Sequence, residues 1–315
     1  VSRIDYSNDS ATASPKGPLT AVTRQGATTG AGNADYGYAD KIGGYPSSYT
    51  TLNRIDYSND TATALPKGTK QTSPNNYINC TVSNLSYGWW VGGYPSSTLV
   101  YRIDFSNDTA AAQPKGNTSV GRGYNTCHSA RMHGFDTSYV PGTKTVDKGA
   151  DGYINTTSSL TSSGPAFGYF TGGEVPNSSS VDRIDYGSDT LTASPKGTLD
   201  VYRWAHGAAS SPAYGYLAGG NGSGQYTSVS RIDYGSDTSV ASPKGNLSDQ
   251  HSNTAGTGNA SYGYIGGGNP PTRSTIDRID YGNDTATAVA KGPLSSVGGG
   301  NNSSARGLLA AAGNL

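Results

Sequence analysis

Apolar and polar residues alternate along this chain in short runs, and each run stops at glycine, proline or an Asn/Asp pair. In Arg3-Ile4-Asp5-Tyr6, Ile4 and Tyr6 share one face and Arg3 and Asp5 the other, which is the two-residue period of a half-buried strand. In Tyr36-Gly37-Tyr38 two rings share one face, and the other face is bare backbone. Apolar residues do not recur at helical spacing. The pattern predicts an all-β protein built from short strands.

The runs recur as a set. RIDY or RIDF begins at Arg3, Arg54, Arg102, Arg183, Arg231 and Arg278, at intervals of 51, 48, 81, 48 and 47 residues. An aromatic-glycine phrase ending in Gly-Gly occupies 36–44, 87–93, 167–173, 214–220 and 262–268. After each RIDY come an Asn/Asp turn, a short strand of Ser, Thr and Ala, and a Pro-Lys-Gly stop, which in the last repeat is Ala290-Lys291-Gly292. A weaker strand of small residues, clearest over 305–313, completes the set. Four short strands in a repeat of this length predict a β-propeller blade.

The 81-residue interval sets the blade count. Within it, 138–142 falls where a Tyr-Gly-Tyr strand belongs, and 152–164 stands in for RIDY and the strand after it. Seven blades are therefore expected, one of them degenerate at about 136–164; six blades with an insertion is the alternative. Residues 1–315 read as a single β-propeller domain. A closed ring needs one more aromatic-glycine strand between Leu315 and Val1, so the natural chain is expected to be longer.

Composition narrows the partners. Apolar residues make up only 33% and glycine 45 of 315, which suits thin, closely packed sheets. Tyrosine, at 23 residues, supplies most of the large buried surface. Net charge is zero and there is no basic run, so no nucleic-acid partner is expected. No apolar stretch is long enough for membrane insertion. Cys80 and Cys127 occupy similar places in successive repeats, a separation expected to be too large for a disulfide.

The order of these phrases resembles kelch-type β-propellers over nearly the whole chain. In that resemblance aromatic-x-x-Gly-Gly is the innermost strand and RIDY the second. The third precedes Pro-Lys-Gly, and the strand led by Arg306 is the fourth. The chain departs from the family in lacking a Trp on the third strand. RIDYSNDTATA with a following Lys-Gly, together with YGYxGGG, is also similar to repeats in fibre-like proteins of marine phages. The resemblance implies a structural or adhesive protein, extracellular or on a virion surface, without a cofactor. Its partners would be a surface glycan or other virion or cell-surface proteins, and it is compatible with a homo-oligomer.

A catalytic group is needed once, whereas a blade-to-blade bond is needed in every blade. Arg3 and Asp5, Arg54 and Asp56, Arg102 and Asp104, Arg183 and Asp185, Arg231 and Asp233, and Arg278 and Asp280 are therefore read as framework. A calcium site at Asp5, Asn8 and Asp9 would offer few of the six to eight oxygens that the ion takes. The segments after each Gly-Gly differ from repeat to repeat, and they supply the candidate ligand-binding residues Tyr45, Tyr49, Tyr94, Glu174, Gln225, Tyr226 and Arg273. Cys127, His128 and His133 form a loose cluster without zinc-site spacing and are weak metal candidates. The leading expectation is a non-enzymatic binding module. The alternative is a secreted carbohydrate-active or copper-oxidase-like enzyme, with Glu174 as its sole glutamate.

Overall fold

A computed structural model describes residues 1–20, 30–40, 51–69, 80–93, 96–130, 167–174, 177–268 and 273–295. A two-stranded sheet comes first, β1 (Ser2–Arg3) and β2 (Ser14–Pro15). Blade 1 is β3 (Gly30–Gly32), β4 (Tyr36–Asp40), β5 (Thr51–Asp56) and β6 (Leu65–Thr69). Blade 2 is β7 (Cys80–Ser83), β8 (Tyr87–Val91), β9 (Ser97–Asp104) and β10 (Gln113–Arg122). Blade 3 is β11 (Thr126–Ser129), β12 (Phe167–Thr171), β13 (Ser180–Asp185) and β14 (Ser194–Thr198). Blade 4 is β15 (Gly207–Ser210), β16 (Tyr214–Ala218), β17 (Ser228–Asp233) and β18 (Ser242–Asn246). Blade 5 is β19 (Ala255–Gly258), β20 (Tyr262–Gly266), β21 (Ile276–Asp280) and β22 (Val289–Lys291). Each blade is an antiparallel meander, and the whole is a β-propeller.

The first strand of each blade lies nearest the axis, where β3 packs on β7, β7 on β11, β11 on β15 and β15 on β19. This corrects the expectation that the Tyr-Gly-Tyr strand is innermost. Size explains the order. Backbones meet so closely at the axis that a Cβ on Gly256 would run into the Ala208 carbonyl, and these strands carry mostly Gly, Ala, Ser, Thr and Cys. The large rings of the second strand need the wider space between blades. Tyr38, Trp89, Tyr169, Tyr216 and Tyr264 are fully buried there.

The described residues hold five complete four-stranded blades, not seven or six. In blade 3 the inner strand pairs directly with its neighbour, Cys127 opposite Phe170, so residues 131–166 are inserted within one hairpin. The expected degenerate blade at about 136–164 falls in that stretch, outside the described residues. Blades 2 and 3 also touch directly, because Arg102 bonds Asp189 at 2.9 Å.

Each seam repeats one clasp. The arginine of one phrase bonds the turn aspartate of the next: Arg3 to Asp60, Arg54 to Asp108, Arg102 to Asp189, Arg183 to Asp237, Arg231 to Asp284 and Arg278 to Asp9. The Pro-Lys-Gly lysine, or Lys291, adds a second cation to the same carboxylate. The following glycine N–H donates to that aspartate's backbone carbonyl, from Gly17 to Asp60 onward and finally from Gly292 to Asp9. Six clasps close in a cycle, with the two-stranded sheet lying between blade 5 and blade 1. The repeated arginines thus act across seams, and not with the aspartate two residues on. Asp5, Asp56, Asp104, Asp185, Asp233 and Asp280 instead accept from the backbone N–H two residues later, capping the turn.

Candidate functional site

The connections after Gly-Gly and those entering the next inner strand leave the blades at the same end. There the glycine pair turns the chain with positive φ, for example +66° at Gly219 and +95° at Gly220. Just before each inner strand of blades 3 to 5 sits a non-glycine residue in the left-handed region: Tyr124 (55°), Ala205 (52°) and Asn253 (55°). Such a conformation costs on the order of 1–2 kcal/mol per residue, so the surroundings must impose it. They do so by a backbone relay around the rim, in which Ala205 N–H donates to Tyr124 O at 3.0 Å and Asn253 N–H to Ala205 O at 2.7 Å.

Beneath the rim a second set of clasps ties the seams. Arg122 lies fully buried between blades 2 and 3, with Nη1 donating to Phe170 O and Nη2 to Asp182, both at 2.8 Å. Ser119 also donates to Asp182, from its N–H at 3.0 Å and its hydroxyl at 2.5 Å. One seam on, the carboxylate has changed sides. Arg203 donates to Ser230 Oγ at 2.8 Å, and Ser230 donates to Asp200. Burial lowers Arg203 to about 10, so it stays charged at neutral pH. In the next seam His251 takes the arginine's place, 3.3 Å from Asp277, with Nδ1 at 2.9 Å from Gly267 O.

The rim side chains are half-buried and concentrated over blades 3 and 4. Trp204 pairs by backbone with Asn221, and Tyr124 meets its ring edge-on at a centroid distance of 5.5 Å. Tyr226 places its ring 5.6 Å from the Arg203 guanidinium, and its hydroxyl accepts from Ser223 N–H at 3.1 Å. Gln225 reaches Ser252 at 3.3 Å, and the Glu174 backbone is held on Gly123. Of the sequence candidates, Glu174, Gln225 and Tyr226 thus lie on this rim. Arg273 pairs with Asp249 further round, and Tyr45, Tyr49 and Tyr94 lie outside the described residues. Sequence reasoning passed over Tyr124 and Trp204. The available signal was that Trp204 stands outside every repeated phrase.

Of the Cys/His candidates, Cys127 and His128 are not brought together. As neighbours on β11, Cys127 and His128 point to opposite faces. Cys127 donates to Thr81 O of blade 2 at 2.8 Å, whereas His128 stacks on Tyr169 and Tyr234 against Gly215. Burial lowers His128 to about 3, so it is neutral. His133 lies outside the described residues, and no metal-holding cluster occurs among those described.

Cys80 and Cys127 form no disulfide, but they lie closer than their spacing suggested. Adjacent inner strands are close enough for the Cys80 sulfur to act on Cys127, and both thiols are free. Burial, and then the Cys80 sulfur, raise the Cys127 thiol well above its ordinary value. Iodoacetamide at pH 8 is therefore expected to label Cys127 at least tenfold more slowly in the folded protein than in urea, read by mass spectrometry. Equal rates would contradict the packing.

No known family profile matches this chain, and no curated protein matches it.

Proposed function

We propose that this rim is a saccharide-binding surface and that the protein is a non-enzymatic adhesive or structural module. The observation that carries the reading is the Tyr124–Trp204 pair, half-buried on a strained, hydrogen-bonded rim. Strained non-glycine backbone clusters at binding and catalytic sites. Aromatic faces beside amide and carboxylate groups suit pyranose rings, whose C–H faces stack while their hydroxyls bond. The repeated carboxylates support a non-catalytic role, because they are taken up in turn caps and seams. Following the sequence resemblance, we read the blades as kelch-like and the setting as a virion appendage or cell surface.

The test is a glycan microarray of neutral and acidic oligosaccharides, followed by titration of Trp fluorescence with any glycan retained. Saturable binding is expected, weakened at least tenfold by Trp204→Ala and by Gln225→Ala, with circular dichroism unchanged. No retained glycan, or equal affinity in both variants, overturns the reading.

A further inference from the structure

Five of the six seams contain a part that the sixth lacks. Asp9, Asp108, Asp189, Asp237 and Asp284 each accept a third hydrogen bond from a ring donor of the second strand: Tyr264, Tyr38, Trp89, Tyr169 and Tyr216. That same ring stacks on the aromatic residue of the next phrase, Tyr6, Phe105, Tyr186, Tyr234 or Tyr281, at 4.2–5.1 Å. The first ring of the second strand lies under the phrase arginine, as Tyr36 lies under Arg54 and Tyr262 under Arg278.

At the seam between the two-stranded sheet and blade 1, every one of these partners is missing among the described residues. Among the described residues the Asp60 carboxylate accepts only from Arg3 and Lys16. The Arg3 side chain is 59% exposed, against 21–26% for its five counterparts. Among the described residues Tyr57 has no stacked ring, and its hydroxyl is buried without a hydrogen-bond partner. Ile4 and Ile55 are half-buried, whereas Ile103, Ile184, Ile232 and Ile279 are buried.

We propose that the edge of β1, unpaired among the described residues, is a docking site for an extended segment of sequence aromatic–Gly–aromatic. The register follows from blade 5, where Tyr262, Gly263 and Tyr264 oppose Asp280, Ile279 and Arg278. The incoming residues therefore oppose Asp5, Ile4 and Arg3 in an antiparallel ladder. The first aromatic slides under Arg3. The glycine leaves room for the Tyr6 ring, as Gly263 does for Tyr281. The second aromatic stacks on Tyr57 and donates to Asp60. All five aromatic–Gly–aromatic phrases of residues 1–315 already stand in β4, β8, β12, β16 and β20, and 296–315 contain no aromatic residue. The occupant is thus a strand other than these five, added to a sheet edge whose main chain supplies affinity and whose pockets read alternate side chains.

The probe is a nine-residue peptide copying 261–269, SYGYIGGGN, added to the 315-residue chain. Calorimetry is expected to show saturable one-to-one binding, with a rise of several degrees in the unfolding midpoint. SSGSIGGGN is expected not to bind. Asp60→Asn and Tyr57→Leu should each weaken SYGYIGGGN at least tenfold, the first at a half-buried carboxylate whose replacement is isosteric and leaves folding little affected. Absence of binding, equal binding of the serine peptide, or unchanged affinity in Asp60→Asn overturns the proposal.

Discussion

Asp182→Ala is expected to lower stability by about 3–5 kcal/mol, because it leaves the Arg122 guanidinium buried without a counter-charge. In a chain of this size that corresponds to a fall on the order of 10 °C in the unfolding midpoint. The loss exceeds that of any surface pair, since both side chains of this one are within 1% of full burial. The neighbouring seam supplies the rescue. There Asp200 stands at the position of Ser119 and Ser230 at that of Asp182, and Arg203 makes the corresponding bonds to Leu217 O and Ser230 Oγ. Ser119→Asp combined with Asp182→Ser therefore moves the carboxylate across the seam into a pattern that the fold already uses. Thermal unfolding followed by circular dichroism should show the double variant recovering at least half of the loss. A double variant no better than Asp182→Ser alone would mean that the two seams are not interchangeable.

The ladder of strands and the turns were legible because alternation and Asx chemistry are local. The arginine's partner was not. Arg3 and Asp5 share a strand face, so pairing within the phrase looks natural, but Asp5 is already committed to Ser7 N–H and Oγ. The carboxylate left over is Asp60, fifty-seven residues away and across a seam. Strand order within the blade was misread for a similar reason: periodicity reports which face is buried, not which strand reaches the axis. Steric room decides that, and it favours Ala31, Cys80 and Gly256 over the tyrosines. The insertion stood only as the alternative, because 138–142 and 152–164 read like worn strands of a blade; elsewhere the Asn33, Asn84 and Asn259 turns join first to second strands directly. The rim was half legible. Tyr226 and Gln225 follow a Gly-Gly, but Trp204 arrives from the preceding blade, and only tertiary pairing with Asn221 reveals it.

Asp108→Ala and Asp60→Ala remove the same residue of the same repeated turn, yet they are expected to differ by about 2 kcal/mol. Asp108 holds Arg54 at 2.8 Å, Lys67 at 3.2 Å and the fully buried Tyr38 hydroxyl at 2.9 Å. Its loss strands a buried donor and two half-buried cations, at a cost of about 3 kcal/mol. Asp60 holds Lys16 and the exposed Arg3, an arrangement worth about 1 kcal/mol after solvent screening. The acid limb of stability should report the Asp108 clasp as well. Burial works against ionised Asp108, but Tyr38, Lys67 and Arg54 outweigh it and hold its carboxyl below the ordinary value. Its contribution is therefore complete above the unfolded carboxylate range near pH 4 and is lost as pH falls through the folded value. The Asp108→Ala protein should then lose less stability than wild type between pH 5 and pH 2, measured by urea titration at each pH. Equal costs for the two alanines would remove the distinction between a complete clasp and an incomplete one. If the aromatic–Gly–aromatic strand docks beside β1, saturating peptide should raise the cost of Asp60→Ala toward that of Asp108→Ala, because the third donor is then in place.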